Sequence, residues 1–362
     1  MAKIDVHCHA ITPKYRQRLI DNGHQNPDGM PAIPPWTPEA HISLMETHNI
    51  SLSILSITSP GTYLSSPNPT SGSTFAHITR ETNTELSQLC ATYPSQFRFF
   101  ASLPLPSVPD SLKEIDYALD VLGAVGFALL SNAQGVYLGD ESLDPVMKKL
   151  NERNAVVFLH PTSCNMILPS SSPSPSPTAA PSQSDFTSAA KVEVEVVKPL
   201  PYPRPVMEFM FDETRVIANL LLSDSLIKYP NITFIMSHCG CTLPSIIDRI
   251  GAFISLVHGG SDKSQEYKDL LQKRFFFDLA GIPFPDQIFG LVRMLGGREK
   301  ARERLLYGSD FPFTPGKAIP GLVARMEKGF ENGAENCFGE VGEDVKKEVY
   351  EGNARKLFGW EK

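Results

Sequence analysis

The sequence predicts a (β/α)8 TIM barrel with a long Ser/Pro-rich insertion after its fifth strand. Three observations carry that expectation. Eight short apolar runs recur along the 362 residues, separated by stretches with helical spacing. Most of the runs are nearly continuous in apolar residues, the pattern of parallel strands covered on both faces. No Gly-rich phosphate loop follows the first run, as a doubly wound dinucleotide-binding sheet would require.

The first run, "KIDVHCH" (3–9), read as a regular strand, aims Asp5, His7 and His9 to one side and Ile4, Val6 and Cys8 to the other. A helix over 37–49 follows, with Thr37 as N-cap and Pro38 at the first helical position. "SLSILSIT" (51–58) leads to a helix ending before Pro94, then "FRFFASLP" (97–104) and a helix from Asp110 to Gly123. "AVGFALLS" (124–131) and the helical 143–154 precede "AVVFLHP" (155–161). A helical stretch over 208–230 precedes "ITFIMSHCG" (232–240), and another over 243–257 follows it. "RFFFDLA" (274–280), a helix over 285–296, "RLLYGSD" (304–310) and a helix over 344–359 complete the count. Residues 170–190, almost pure Ser, Pro, Ala and Thr, cannot bury enough apolar surface to offset their ordering; they are expected to be a flexible insertion, dispensable for folding, within a single domain spanning 1–362.

Composition narrows the function. With 41% hydrophobic and 20% charged residues and a net charge of −7, the chain reads as an ordinary soluble enzyme-sized protein. No basic block marks a nucleic-acid footprint, and no apolar run approaches the roughly 20 residues a membrane span needs. Asp5 and two histidines interrupt any secretory h-region, and the six scattered cysteines suit a reducing compartment, so the expected location is the cytosol. Cys239 and Cys241 are expected to be structural thiols.

The run ends carry the chemistry. The first ends at His9, the fifth at His160, the sixth at His238 and the eighth at Asp310. In a parallel barrel all strand C-termini lie on one rim, so these four groups, with His7, should face one pocket. Imidazole and carboxylate are the ligands expected around a catalytic divalent metal with an open position. The fourth run has no lysine to become a bridging carbamate, which points to one metal rather than two. Phe209, Phe211, Phe284, Phe311 and Phe313 are candidates for an apolar wall around a substrate ring.

The motifs "IDVHCH", "FLHPTS", "MSHCGCTLPSIIDR" and "LLYGSDFPF", with the closing "YEGNARKLFG", resemble the amidohydrolase superfamily. Within it they are most similar to the branch of aminocarboxymuconate-semialdehyde decarboxylase and the metal-dependent aromatic acid decarboxylases. The stretches "SITSPGTYL" and "PPWTPEAHISLM" resemble the fungal 6-methylsalicylate decarboxylases of polyketide secondary metabolism. The resemblance implies that His7, His9, His160 and Asp310 bind the metal, and that His238 stands over the open position as acid/base, with the proton delivered by His238 or Asp310. It implies that Arg249 helps hold the carboxylate of a small aromatic substrate, in some relatives from across a dimer interface, and hence a homodimer. Zn2+ is the first choice of metal and Mn2+ the alternative. The implied reaction is loss of CO2 from an ortho-hydroxybenzoate, 6-methylsalicylate first. A lactonase-like hydrolase using the same ligands to polarise water is the rival reading, and a barrel with a purely structural metal a second.

Overall fold

In the computed structural model, the described residues are 1–64, 75–164, 167–169, 191–193, 201–331, 338 and 342–360. The insertion expected at 170–190 lies outside them. Eight parallel strands form one sheet in sequence order: β1 (Lys3–His9), β2 (Ile50–Ser56), β3 (Phe97–Ala101), β4 (Gly126–Leu130), β5 (Val156–His160), β6 (Thr233–Met236), β7 (Phe275–Asp278) and β8 (Leu305–Leu306). The chain after β8 runs on against β1. Val6 donates to Tyr307 O and His9 to Phe311 O, and Asp310 donates to His7 O, which joins the first and last strands into a (β/α)8 barrel. Gly308 permits that approach: a Cβ there would stand 2.7 Å from the Cβ of His7.

Interior positions stack through the barrel axis. Ile4, Val6, Ile54, Phe100, Phe158 and Ile235 belong to one buried cluster, and a larger second cluster fills the space between the strands and the surrounding helices. The expected alternation of β1 is not what forms. The β1–β2 register shifts between Asp5 and Cys8, a bulge that puts Ile4 and Val6 in the interior cluster and still turns His7 and His9 inward. Asp5 instead stands with Cys8 and His41, whose ligand-type atoms lie within 4.8 Å of its carboxylate. It accepts from His7 N, Ser309 N and Ser309 Oγ, so it ties β1 to the segment after β8.

The helices follow their caps. Pro38–His48 starts as expected, the Thr37 side chain accepting from Ala40 N, and stops at Asn49 in the left-handed region. The long stretch after residue 208 divides at Asp224 into Glu208–Leu222 and Ser225–Lys228. Helices Pro13–Asp21, Ser264–Arg274 and Ile319–Glu331 form in addition to those expected. No helix among the described residues is long and apolar enough to cross a membrane.

Candidate active site

The run ends converge. His7, His9 and His160 are buried, and each fixes its ring through Nδ1: His7 on Asp278 Oδ2 at 2.9 Å, His9 on Ser56 Oγ at 2.9 Å and His160 on the Pro161 carbonyl at 2.7 Å. An imidazole engaged at Nδ1 presents Nε2, the usual device for orienting a ligand ring. The ligand atoms of His7, His9, His160 and Asp310 all lie within 4.8 Å of one another.

Nε2 of both His7 and His9 is buried without a hydrogen-bond partner, although Asp310 Oδ1 stands 3.4 and 3.2 Å away. Orphaned buried nitrogens facing a carboxylate are costly unless a cation belongs between them. The electrostatics agree. Burial opposes ionisation of Asp310, but the His7 and His9 rings outweigh it and hold its carboxyl well below the usual carboxylate range. Burial keeps His9 and His160 neutral, His160 strongly so with the neighbouring rings adding to the effect. Burial also opposes charge on His7, yet Asp278 and Asp310 push its pKa well above the ordinary value. Two carboxylates thus require positive charge at this point, and three nitrogens with one carboxylate form a donor set that fits a divalent metal.

His238 is a neighbour of the four but not one of the converging ligand atoms. Its ring centroid is 4.9 Å from that of His7 and 6.2 Å from that of His160. It lines a cavity of about 340 Å³ together with His160 and Asp310. The sixth strand does not reach it: β6 stops at Met236, and His238 sits in a turn at positive φ. Burial and the charge of His7 lower its pKa. Of the five phenylalanines, Phe209 and Phe313 line this cavity; Phe211 is exposed, Phe284 packs on Phe330, and Phe311 packs on His41. A second cavity of similar size opens beside β2–β4, shares only Asp28 with the first and holds none of the cluster.

Arg249 is not brought to this cavity within one chain. It lies exposed on the helix Leu243–His258, its guanidinium 5.2 Å from the Phe253 ring. Cys239 and Cys241 are buried and unbridged, as expected of structural thiols.

Three groups were not foreseen. Asp278 accepts from the His7 ring, from His238 N and from Ala280 N; it lies two residues inside the end of the seventh run, and only the strand, which stops at Asp278, brings it to the rim. Glu213 and Gln287 bind the His238 turn from neighbouring helices, with no sequence signal beyond a Glu on an otherwise apolar helix face. Burial pushes the carboxyl of Glu213 up to about 7. Below about 4.5 it is protonated whether folded or unfolded. Between there and 7 the folded state keeps a proton that the unfolded chain has released, so this group lowers stability as pH rises. Glu213→Gln removes that dependence. Its thermal midpoint should gain on the parent's by roughly 1–3 kcal/mol equivalent between pH 5 and 8. Melting curves that stay parallel over that range would contradict this.

The amidohydrolase family matches residues 4–360. The chain is 33% identical to the decarboxylase yanB of Aspergillus niger, over 99% of this chain and 88% of that protein. It is 31% identical to a 6-methylsalicylic acid decarboxylase of Penicillium expansum, over 99% and 96% respectively. Among solved structures, a dihydroxybenzoic acid decarboxylase of Polaromonas sp. JS666, with bound manganese and the inhibitor 2-nitroresorcinol, superposes with a TM-score of 0.68 at 18% identity, covering 99% of this chain and 97% of that one.

Proposed function

The chain belongs to the amidohydrolase family, and from that premise we propose that it is a metal-dependent decarboxylase of ortho-hydroxybenzoic acids, converting 6-methylsalicylate into 3-methylphenol and CO2. The observation that carries the reading is a cluster of four ligand-type residues, two of which, His160 and Asp310, line a partly apolar cavity, with one further imidazole, His238, outside the cluster on the cavity wall. Near relatives named as decarboxylases support the reaction class.

His7, His9, His160 and Asp310 would hold one divalent ion. Zn2+ suits three imidazoles; Mn2+ is the alternative, supported by the manganese in the Polaromonas enzyme. When bound, the ion would supply Lewis acidity toward the oxygens of the substrate. The chain's own residues do the rest. Met30, Phe209, Met210, Ile282 and Phe313 enclose an aromatic ring and exclude water from it.

Asp310 is held ionised by two imidazoles, so the proton falls to His238, which its lowered pKa keeps neutral and ready to accept. His238 takes the proton of the ortho-hydroxyl. The oxygen's electrons enter the ring, and His238 returns the proton to the carbon bearing the carboxylate. The bond to the carboxylate then breaks, its electron pair restores aromaticity, and CO2 leaves. The phenolate product takes a proton from water. His238→Ala should lower kcat by about 10²–10⁴-fold with a much smaller change in KM. An equal kcat with raised KM would assign His238 to binding only.

The homodimer is part of this proposal. Phe253, Leu256 and Val257 lie exposed along the helix that carries Arg249, a large apolar surface for a lone chain. Burying it in a dimer would place Arg249 at the subunit boundary. Sedimentation at micromolar concentration should give a dimer; a monomer would count against it. The acting location is the cytosol, in keeping with the unbridged cysteines among the described residues.

A further inference from the structure

We propose that Glu213 and Gln287 are positioning residues for His238, clamping the left-handed turn that aims its ring at the substrate. The inference rests on the proton-transfer role given to His238 above. The turn needs a clamp. His238, Cys239, Gly240 and Cys241 have φ of 51°, 55°, 76° and 52°, so three of four consecutive residues carry a side chain in a region that L-residues rarely adopt. Such strain persists only where surrounding contacts impose it.

The contacts are specific and close on the turn from separate elements. Glu213, fully buried on the helix Glu208–Leu222, accepts from Ser237 N at 2.7 Å, from Ser237 Oγ, and from Cys241 Sγ at 3.1 Å, so one carboxylate grips the residues on both sides of the arc. Gln287, at the start of the helix Gln287–Met294, donates both to His238 O at 2.8 Å and to Cys241 O at 3.3 Å. Asp278 accepts from His238 N at 3.2 Å and also holds His7, which couples the turn to the metal cluster. Glu213 does not line the cavity, so it acts on the reaction only through the turn. Gln287 lines the cavity but its donor nitrogen is committed to the two backbone carbonyls.

Burying a carboxylate where an apolar side chain would pack is costly, and burial raises its proton affinity here. A group retained at that cost, bonded only to the two flanks of a strained catalytic turn, fits a role in placement. Misplacing a proton-transfer group by about 1 Å is worth about 10²-fold in rate.

The test compares purified, metal-loaded parent, Glu213→Gln, Gln287→Ala and His238→Ala, singly and combined. Glu213→Gln keeps the shape but replaces an acceptor with a donor facing Ser237 and Cys241; Gln287→Ala carries the comparison if that variant does not fold. The expected result is a 10–100-fold fall in kcat, with KM and metal content within about twofold of the parent, and no further fall when either change is added to His238→Ala. A merely structural clamp would lower the melting temperature and leave kcat per folded enzyme unchanged, which would overturn the proposal. So would losses that multiply with that of His238→Ala. If His238→Ala itself kept the parent's kcat, the proton-transfer role would fail and the positioning role with it; if His238→Ala lost activity while both clamp variants did not, only the positioning role would fail.

Discussion

His7→Ala should abolish decarboxylation, by at least about 10³-fold, and should strip the metal while leaving the barrel folded. Three arguments support that size. His7 supplies one of four converging ligand atoms. Lewis-acid stabilisation by a bound ion is worth several kcal/mol, and each 1.4 kcal/mol is tenfold in rate. The imidazole lost is also the partner that makes Asp278 useful to the site. The fold should survive because Asp278 keeps the backbone N–H groups of His238 and Ala280, and β1 keeps its bonds to the segment after β8. Metal analysis, far-UV circular dichroism and turnover on the same preparation check all three parts. Two ions per chain in the parent, or full activity after exhaustive chelation, would contradict the assignment.

The methyl ether of 6-methylsalicylate should not turn over at all. Direct loss of CO2 from a benzoate leaves an aryl carbanion of prohibitive energy. In the proposed mechanism the ortho-hydroxyl avoids it, because its oxygen would both reach the metal and, once deprotonated by His238, let the ring carbon accept a proton before the bond breaks. Methylation removes the transferable proton and weakens the chelate together, so the loss should exceed about 10³-fold. The meta-hydroxy isomer should fail for the same reasons, since its oxygen reaches neither the chelate nor conjugation with the reacting carbon. The para-hydroxy isomer retains conjugation but not chelation, and should fail too. Turnover of the ether at a rate comparable to the parent substrate would show the mechanism to be wrong even for a genuine decarboxylase.

Much of the site was legible because its residues stand at the ends of apolar runs, where a parallel barrel necessarily gathers them. His7, His9, His160 and Asp310 could be placed on one rim with no distance known, and the structure brings their ligand atoms together. Asp278, which orients both His7 and the His238 turn, is masked by the two apolar residues that extend the seventh run to Ala280; the strand itself stops at Asp278. Local patterning reads alternation as regular and misses the bulge that carries the Asp5 carboxylate to Cys8 and His41, outside the cluster of His7 and His9 ring nitrogens; the bulge arises from pairing with β2. The sixth and eighth strands end earlier than their apolar runs, at Met236 and Leu306, because the chain there leaves the sheet for turns at positive φ at His238 and Asp310. Glu213 and Gln287 were beyond reach for a different reason. Their bonds to Ser237, His238 and Cys241 span 24 to 49 residues, and the partners on the turn are mostly backbone groups, which carry no residue-type signal. The packing of Phe284 and Phe311 into the core, against Phe209 and Phe313 on the cavity, likewise depends on neighbours that only the fold supplies.

The most direct measurement incubates the purified, metal-loaded enzyme with 6-methylsalicylate in D2O and follows both CO2 and the organic product. The expected result is one CO2 per substrate consumed and 3-methylphenol carrying a single deuterium at the carbon that lost the carboxylate, with none formed after chelation. A ring-opened or otherwise hydrolysed product without CO2, from this substrate or from a cyclic carboxylate ester that turns over in its place, would contradict it and assign the same four ligands to hydrolysis instead.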